Sequence, residues 1–202
     1  MILTRTYDAP PVSEQAILRY AGCREATEEI RAVLADCIAE SADALEYKVC
    51  YTELPLTVTG NVCDFGVLSV TSEKLADHLR GCHRAVLFAA TVGVTFDRLI
   101  ARYGRVSPAR AMLLQAFGAE RIEALCDAFC GDLAKMADLR PRFSPGYGDL
   151  PLTVQRDIFP VLDCARKIGL TLNDSCLMSP SKSVTAFVGL CDPTAEISGG
   201  VV

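Results

Sequence analysis

AVLFAATV, residues 85–92, is the most apolar strand-sized stretch of this sequence. An uncharged apolar run of this length is typical of a strand in the core of a sheet. Further along, Ser107-Pro108 places an N-cap residue before a proline at the first helical position, which predicts a helix start. The helix is predicted to run nearly to Leu139, roughly 45 Å at about 1.5 Å per residue, although Gly118 and Gly131 inside it favour a bend or a break. Together these elements predict a sheet covered by a long helix.

Hydrophobic periodicity predicts the remaining elements. Further helices are predicted at about 13–20, capped by Ser13, and at 25–45, 72–79, 95–103 and 154–168, where Pro160 is expected to kink or split the last one. Further strands are predicted at 47–52, half-buried by its alternation, and at 56–59, 66–70, 170–172 and 183–190. Strands and helices do not alternate strictly, so the predicted class is α+β with an antiparallel or mixed twisted sheet. Residues 1–202 are predicted to form a single domain, with a helical region at about 1–45 and a tail at about 192–202.

Composition limits the classes of partner and the compartment. Half of the 202 residues are apolar, enough for a sizeable core, and the formal net charge is -5. An acidic balance argues against nucleic acid and against an anionic membrane surface, because both bind basic faces. The sequence contains no apolar run of about 18 residues and no signal-like segment near Met1. These features predict a cytoplasmic protein.

Ten cysteines are scattered along the chain without a Cys-x-x-Cys pair, which indicates buried thiols in a reducing compartment. Cys126 and Cys130 are four residues apart on one predicted helix face, a spacing that suits either two metal ligands or helix packing. Packing is favoured because no second close pair exists, so no metal is predicted. His78 and His83 flank the end of a short helix and are expected to be a cap and a solvated residue. No catalytic residue is predicted.

The loop RFSPGYGDLP, residues 142–151, is the least ordinary stretch. Two glycines and two prolines allow close approach of the backbone to a ligand. Arg142 has a planar fork suited to a carboxylate or phosphate, and Tyr147 has a flat face for a ring. A plain surface turn between two helices is the alternative. The polar segment 172–185 either lines a ligand groove or simply connects two strands.

The order of motifs resembles the activation domain of cobalamin-dependent methionine synthase. Arg142-x-x-Pro145-Gly146-Tyr147 is similar to the Arg-x-x-Pro-Gly-Tyr motif of that family. GLTLNDSCLMSPSKSVT, residues 169–185, is similar to the pattern that follows it, with Asn173 in place of a threonine. FAATVG, residues 88–93, is similar to a strand end upstream. The resemblance spans roughly 79–189, over half of the chain.

The resemblance implies an α+β domain that binds S-adenosylmethionine and docks over cobalamin. It implies a free-standing activator that acts in trans on methionine synthase or another corrinoid methyltransferase. The partner would carry the cobalamin, and flavodoxin or another low-potential donor would supply the electron. Such a chain is an accessory component of a methyltransferase, and the resemblance leaves open whether it is itself an enzyme.

The resemblance also implies a role for each residue of the site. Arg142 would hold the carboxylate of S-adenosylmethionine, Ser144 and Gly146 would supply backbone contacts, and Tyr147 would bound the adenosine pocket. Glu123, in the long predicted helix, is the candidate for the acidic contact of the family.

Three departures from the family pattern support an alternative. The Trp-Thr-Pro-Phe region of the family has no counterpart here, and the chain has no tryptophan. No tyrosine follows Tyr147, although the family places a ligand-contacting tyrosine near its last strands. Residues 148–151, Gly-Asp-Leu-Pro, replace a Pro-Ala-Cys-Pro type sequence. The alternative is a non-catalytic docking protein for a corrinoid protein that has lost S-adenosylmethionine binding.

Overall fold

The structure is a computed structural model in which residues 1–23 and 25–191 are described, so the predicted tail at 192–202 lies outside the described residues. Its strands are β1 (Leu3–Tyr7), β2 (Tyr47–Pro55), β3 (Thr57–Thr59), β4 (Val62–Asp64), β5 (Ser69–Thr71), β6 (Arg84–Thr91), β7 (Asp138–Leu139), β8 (Thr171–Leu172), β9 (Met178–Ser179) and β10 (Ser183–Cys191). Its α-helices are α1 (Glu14–Tyr20), α2 (Glu28–Ser41), α3 (Glu73–His78), α4 (Val94–Val106), α5 (Pro108–Leu133), α6 (Gln155–Leu162) and α7 (Cys164–Ile168). Two 3-10 turns, Ala42–Ala44 and Leu152–Val154, complete the described elements.

A five-stranded sheet in the order β1-β2-β6-β10-β7 is the centre of the molecule, and all its pairs are antiparallel. The apolar run at 85–92 is its central strand, β6, as predicted. Val86 and Phe88 face one core, whereas Ala85 and Leu87 face the other. The predicted α+β class with an antiparallel sheet is confirmed.

The sheet is covered on both faces, which corrects the half-buried strand predicted at 47–52. Along β2, Tyr47 and Val49 belong to the core under the long helix, while Cys50 and Leu54 belong to the core on the opposite face. The alternating residues of β2 therefore face two cores, one on each side of the sheet, rather than one core and solvent.

The first layer contains α1, α2, α4 and α5, and it packs on one face of the sheet. Helix α5 has 26 residues, about 39 Å at 1.5 Å per residue. It continues through Gly118, where an added Cβ would lie 2.5 Å from Phe96 Cε1, so the glycine allows α4 to pack closely. The predicted break there is wrong, and so is the predicted end near Leu139. Leu139 instead pairs with Leu190 at the sheet edge.

A proline accounts for where α4 ends and α5 begins. Helix α4 passes its predicted end at residue 103 and ends before Ser107, whose extended backbone is typical of a residue that precedes proline. Pro108 is the first residue of α5, as predicted, but the Ser107 hydroxyl makes no capping hydrogen bond. Helix α5 ends at Leu133, well before Pro141.

The second layer contains the small sheet β3-β4-β5 and the helices α3, α6 and α7. The predicted strand at 66–70 is instead a turn followed by β5. The helix predicted at 154–168 is split, but at Asp163, which adopts a left-handed backbone conformation, and Pro160 lies inside α6. Among residues 1–23 and 25–191, every helix is too short or too polar to cross a bilayer.

Candidate functional site

One face of α5 carries three carboxylates that form the base of the candidate site. Glu120, Glu123 and Asp127 are three and four residues apart, so they project from the same side of the helix. Ala124 and Ala128 lie among them and leave space for a groove along the helix because their side chains are small.

Arg142 reaches this face from the loop that follows β7. Its Nη1 donates to Asp127 Oδ1 at 2.6 Å and its Nη2 donates to Glu123 Oε2 at 2.5 Å. Burial disfavours the charged guanidinium, but the hydrogen bond to Asp127 and the charge of Glu123 outweigh burial and raise the pKa of Arg142. The structure thus joins two residues that the sequence selected, Arg142 and Glu123, and adds Asp127, which sequence reasoning missed. Its position one turn after Glu123 was the available signal.

Two grooves meet at Asp127. One, of about 580 Å³, lies between α5 and the segment that contains residues 10–20. The other, of about 440 Å³, is lined by Asp127, Cys130 and residues 139–142. Both volumes fall within the roughly 300–1,000 Å³ of small-molecule sites. A larger cleft of about 1150 Å³ lies between α1 and the start of α2, and its lining contains none of the five predicted site residues.

The sheet holds the loop that carries Arg142. Phe143 and Phe187 exchange two backbone hydrogen bonds of 2.8 and 2.9 Å, and the Arg140 amide donates to the Gly189 carbonyl at 2.9 Å. The segment at 140–143 therefore continues the edge of the sheet beside β10. This attachment fixes the backbone on both sides of Arg142.

The far end of the loop is attached to α3. Asp149 accepts hydrogen bonds from the Ser72 hydroxyl, from the Glu73 amide at 2.7 Å and from the Lys74 amide at 3.2 Å. The hydrogen bond from Ser72, with help from the two amides, lowers the pKa of Asp149. The Gly-Asp-Leu-Pro sequence that departs from the family pattern thus supplies a helix cap.

The other predicted site residues lie at the tip of the loop. The Tyr147 amide donates to the Ser144 carbonyl at 3.1 Å and the Gly146 amide donates to the Leu150 carbonyl at 2.9 Å, so both amides are used within the loop. Gly146 has a φ of 92°, a conformation that favours glycine. Tyr147 is 70% exposed, and its ring packs edge-on against Phe143 with centroids 6.1 Å apart. The Tyr147 ring therefore packs against Phe143.

An anchor that the sequence did not predict holds the opposite wall of the larger groove. Arg121 has a side chain only 1% exposed, and it donates to the Pro10 carbonyl at 2.5 Å and to the Pro11 carbonyl at 2.8 Å. Its fork also binds both oxygens of Glu120 at 2.5 Å. Glu120 in turn accepts from the Ser13 amide at 3.0 Å. A charged pair inside the apolar pattern of a long helix was the signal for this anchor.

Of the remaining candidate groups, Asn173 lies in a different groove, whereas His78 contacts the loop that carries Arg142. Asn173 accepts from the Ser175 and Leu177 amides, each at 2.9 Å, so it stabilises the turn between β8 and β9. His78 Nε2 lies 2.6 Å from the Pro141 carbonyl oxygen, and its ring contacts Phe143. Leu172, Asn173 and Asp174 also line a groove of about 750 Å³, so the segment 172–185 both connects two strands and lines a groove. His78 supports the loop that carries Arg142.

The cysteine pair on α5 is part of the packing of that helix. Cys126 is fully buried, and burial raises the pKa values of Cys126 and Cys130. Within residues 1–23 and 25–191, no three His, Cys, Asp or Glu side chains are grouped so that they would hold a metal ion.

The fold is similar to that of a known domain. A solved structure described as the MetH reactivation domain bound to AdoHcy superposes with a TM-score of 0.69 at 13% sequence identity. The match covers 96% of this chain and 79% of the other. No family model and no curated protein matches the sequence. The resemblance inferred from the sequence motifs is therefore confirmed at the level of the fold.

Proposed function

We propose that this protein binds S-adenosylmethionine in the groove beside Arg142 and acts in trans as the reductive activator of a cobalamin-dependent methionine synthase or another corrinoid methyltransferase. The observation that carries the proposal is the position of the Arg142 guanidinium, half-buried between Glu123 and Asp127 where two grooves meet. The fold likeness supports it, because the matching domain was crystallised with S-adenosylhomocysteine (AdoHcy), the demethylated form of S-adenosylmethionine.

The charges of the site fit the amino-acid end of S-adenosylmethionine. The ligand carboxylate would take one arm of the Arg142 fork, and its ammonium group would bind the carboxylate that is released. Glu123 and Asp127 together exceed the charge of Arg142 by one unit, so the site also favours the sulfonium cation. A groove of about 580 Å³ accommodates a ligand of this size.

The chemistry of such an activator needs no general base from this chain. The corrinoid of the partner would accept one electron from flavodoxin or another low-potential donor and then the methyl group of the sulfonium, whose sulfur keeps the bonding electron pair and leaves as the thioether. The residues of this chain would bind the methyl donor, orient its sulfonium toward the partner and exclude water.

Calorimetric titration of S-adenosylmethionine into the wild type and Arg142→Ala tests this proposal. Loss of a charged hydrogen bond costs roughly 1.5–3 kcal/mol, so affinity is expected to fall about 10- to 100-fold. Arg156→Ala is the matched control, because Arg156 is an exposed arginine with one hydrogen bond, to the Asp174 carbonyl, in a different groove. Equal affinity for S-adenosylmethionine in all three proteins would show that Arg142 does not bind this ligand.

A docking protein without a ligand is the second candidate, and two observations favour it. Arg142 is already neutralised by two carboxylates, and Tyr147 is 70% exposed, as in a surface that awaits a partner. Binding of a corrinoid protein, measured with and without S-adenosylmethionine, separates the two. The docking role predicts that the affinity for the corrinoid protein is the same with and without S-adenosylmethionine and is weakened by Tyr147→Ala. The activator role also predicts that the spectrum of the corrinoid changes on methylation.

A further inference from the structure

Two cysteines far apart in sequence meet at one end of the central sheet. Cys82 lies in the turn after α3, and Cys191 is the last residue of β10. Their Sγ atoms are 3.0 Å apart although 109 positions separate them in the chain. The two thiols are in contact because β10 pairs with β6, and the turn that holds Cys82 leads directly into β6.

The thiol pair lies under the entrance to the Arg142 loop. A Cβ added at Gly189 would lie 2.9 Å from Cys82 Sγ and 3.2 Å from Arg140 Cγ, so only glycine fits between the thiol and the arginine. The Arg140 amide also donates to the Gly189 carbonyl. A covalent link between the cysteines would therefore tie β10 to the turn directly below residues 140–142.

The two thiols differ in accessibility. Cys82 is 4% exposed, whereas Cys191 is only partly buried. Burial and the hydrogen bond with Cys191 raise the pKa of Cys82 to about 11, so this thiol is protonated near neutral pH. A reagent from solution would therefore react with Cys191 first, and Cys82 would then react with the modified Cys191 inside the protein.

We propose that Cys82 and Cys191 form a redox-active dithiol that small-molecule disulfides such as glutathione disulfide oxidise. The Cys191 thiolate attacks one sulfur of the reagent, forms a mixed disulfide and releases one thiol. Cys82 then loses its proton and attacks Cys191 Sγ, which forms the protein disulfide and releases the second thiol. The protein loses two protons and two electrons, and the reagent gains both. This inference is independent of the proposed ligand site.

A second cysteine pair provides a matched control. Cys50 and Cys164 also interact through their side chains, but their exposed fractions are 0% and 1%. A reagent from solution cannot reach either thiol while the protein is folded. The Cys50 and Cys164 thiols are close together but inaccessible to the reagent. We therefore expect them to stay reduced under conditions that oxidise the Cys82–Cys191 pair.

The experiment exposes the full-length reduced protein to glutathione disulfide over a series of oxidised-to-reduced ratios. Alkylation then traps the free thiols, and intact mass and non-reducing peptide mapping locate every link. The expected product is a protein that has lost two hydrogens, with a peptide that joins Cys82 to Cys191. Cys82→Ser is expected to stop at a stable glutathione adduct on Cys191, and Cys164→Ser is expected to leave the link intact.

Three results would overturn the proposal: a wild type that retains a glutathione adduct on Cys191, a Cys191 that never reacts, or a link to any other cysteine. If Cys82→Ser does not fold, Cys191→Ser replaces it. In that variant the buried Cys82 is expected to remain free of adduct, and an adduct on it would contradict the order of attack.

Discussion

Replacing Arg121 by methionine tests whether α5 fixes the wall of the candidate groove. The Arg121 side chain is 1% exposed and binds Glu120 with two nitrogens, and its other contacts hold the Pro10 and Pro11 carbonyls. Methionine replaces the apolar part of the side chain as far as Nε, but it lacks the guanidinium carbon, which lies 5.5 Å from the centroid of the Phe117 ring. It removes the charge and every hydrogen bond of the fork.

The expected cost follows from what the substitution leaves behind. Glu120 is 5% exposed, so its carboxylate would remain buried without a counter-ion. Breaking a buried pair from one side typically costs about 3–5 kcal/mol, a large part of the roughly 5–15 kcal/mol that stabilises an ordinary domain. Glu120→Gln added to Arg121→Met removes the stranded charge and is expected to recover at least about 1 kcal/mol, the scale of a buried polar penalty.

Urea denaturation followed by circular dichroism measures both variants. Arg156→Met is the control, because it removes an exposed arginine and is expected to change the free energy of unfolding by less than about 1 kcal/mol. A loss below about 1 kcal/mol for Arg121→Met, or a double variant less stable than the single one, would refute the reasoning. Either result would show that water compensates Glu120 and that the segment at 10–13 is not held by this anchor.

Two further predictions concern packing and capping. Gly118→Ala is expected to destabilise the protein by about 1–3 kcal/mol, because the added Cβ would lie 2.5 Å from Phe96 Cε1. The control Gly131→Ala, whose Cβ would meet nothing within 4 Å, is expected to stabilise the protein by up to about 1 kcal/mol. Equal urea midpoints for the two variants would contradict this prediction. Asp149 has a lowered pKa, chiefly through Ser72, so its stabilisation is present above the unfolded value of about 4 and is lost as pH falls through the folded value. Asp149→Asn is therefore expected to lose less stability than the wild type between about pH 5 and pH 3, and identical losses would exclude the cap.

Local signals predicted the elements whose cause is local. The apolar run at 85–92 became β6, and Ser13 caps α1 by accepting from the Ala16 amide. Gly169 follows the last residue of the helix predicted at 154–168, and it ends α7 with a φ of 70°. In each case one or two neighbouring residues determine the backbone conformation, so pattern reasoning was sufficient.

Features that depend on distant residues were not predicted. Asp149 caps α3 across 77 positions of sequence, and no local pattern marks such a partner. Gly118 was expected to break α5, but Phe96 and Lys182 occupy the space that a side chain would need. The sequence did not predict the second layer for the same reason. An alternating strand has the same sequence pattern whether its more polar face contacts solvent or a second core. For the candidate site, the sequence supplied Arg142 and Glu123, but only the fold places Asp127 beside them.

Arg121 and Arg142 each bind residues that line the larger groove, but they are held in different ways, and the difference favours a ligand. A carboxylate that entered at Arg121 would have to displace a buried Glu120 and two backbone carbonyls. One that entered at Arg142 need only displace Asp127, which is 72% exposed and is readily solvated when released. The released carboxylate would then lie beside the ammonium group of the ligand. A docking surface is also compatible with an Arg142 that two carboxylates neutralise, but the exposure of Asp127 lets a ligand carboxylate replace it, and this feature argues for ligand binding over docking alone.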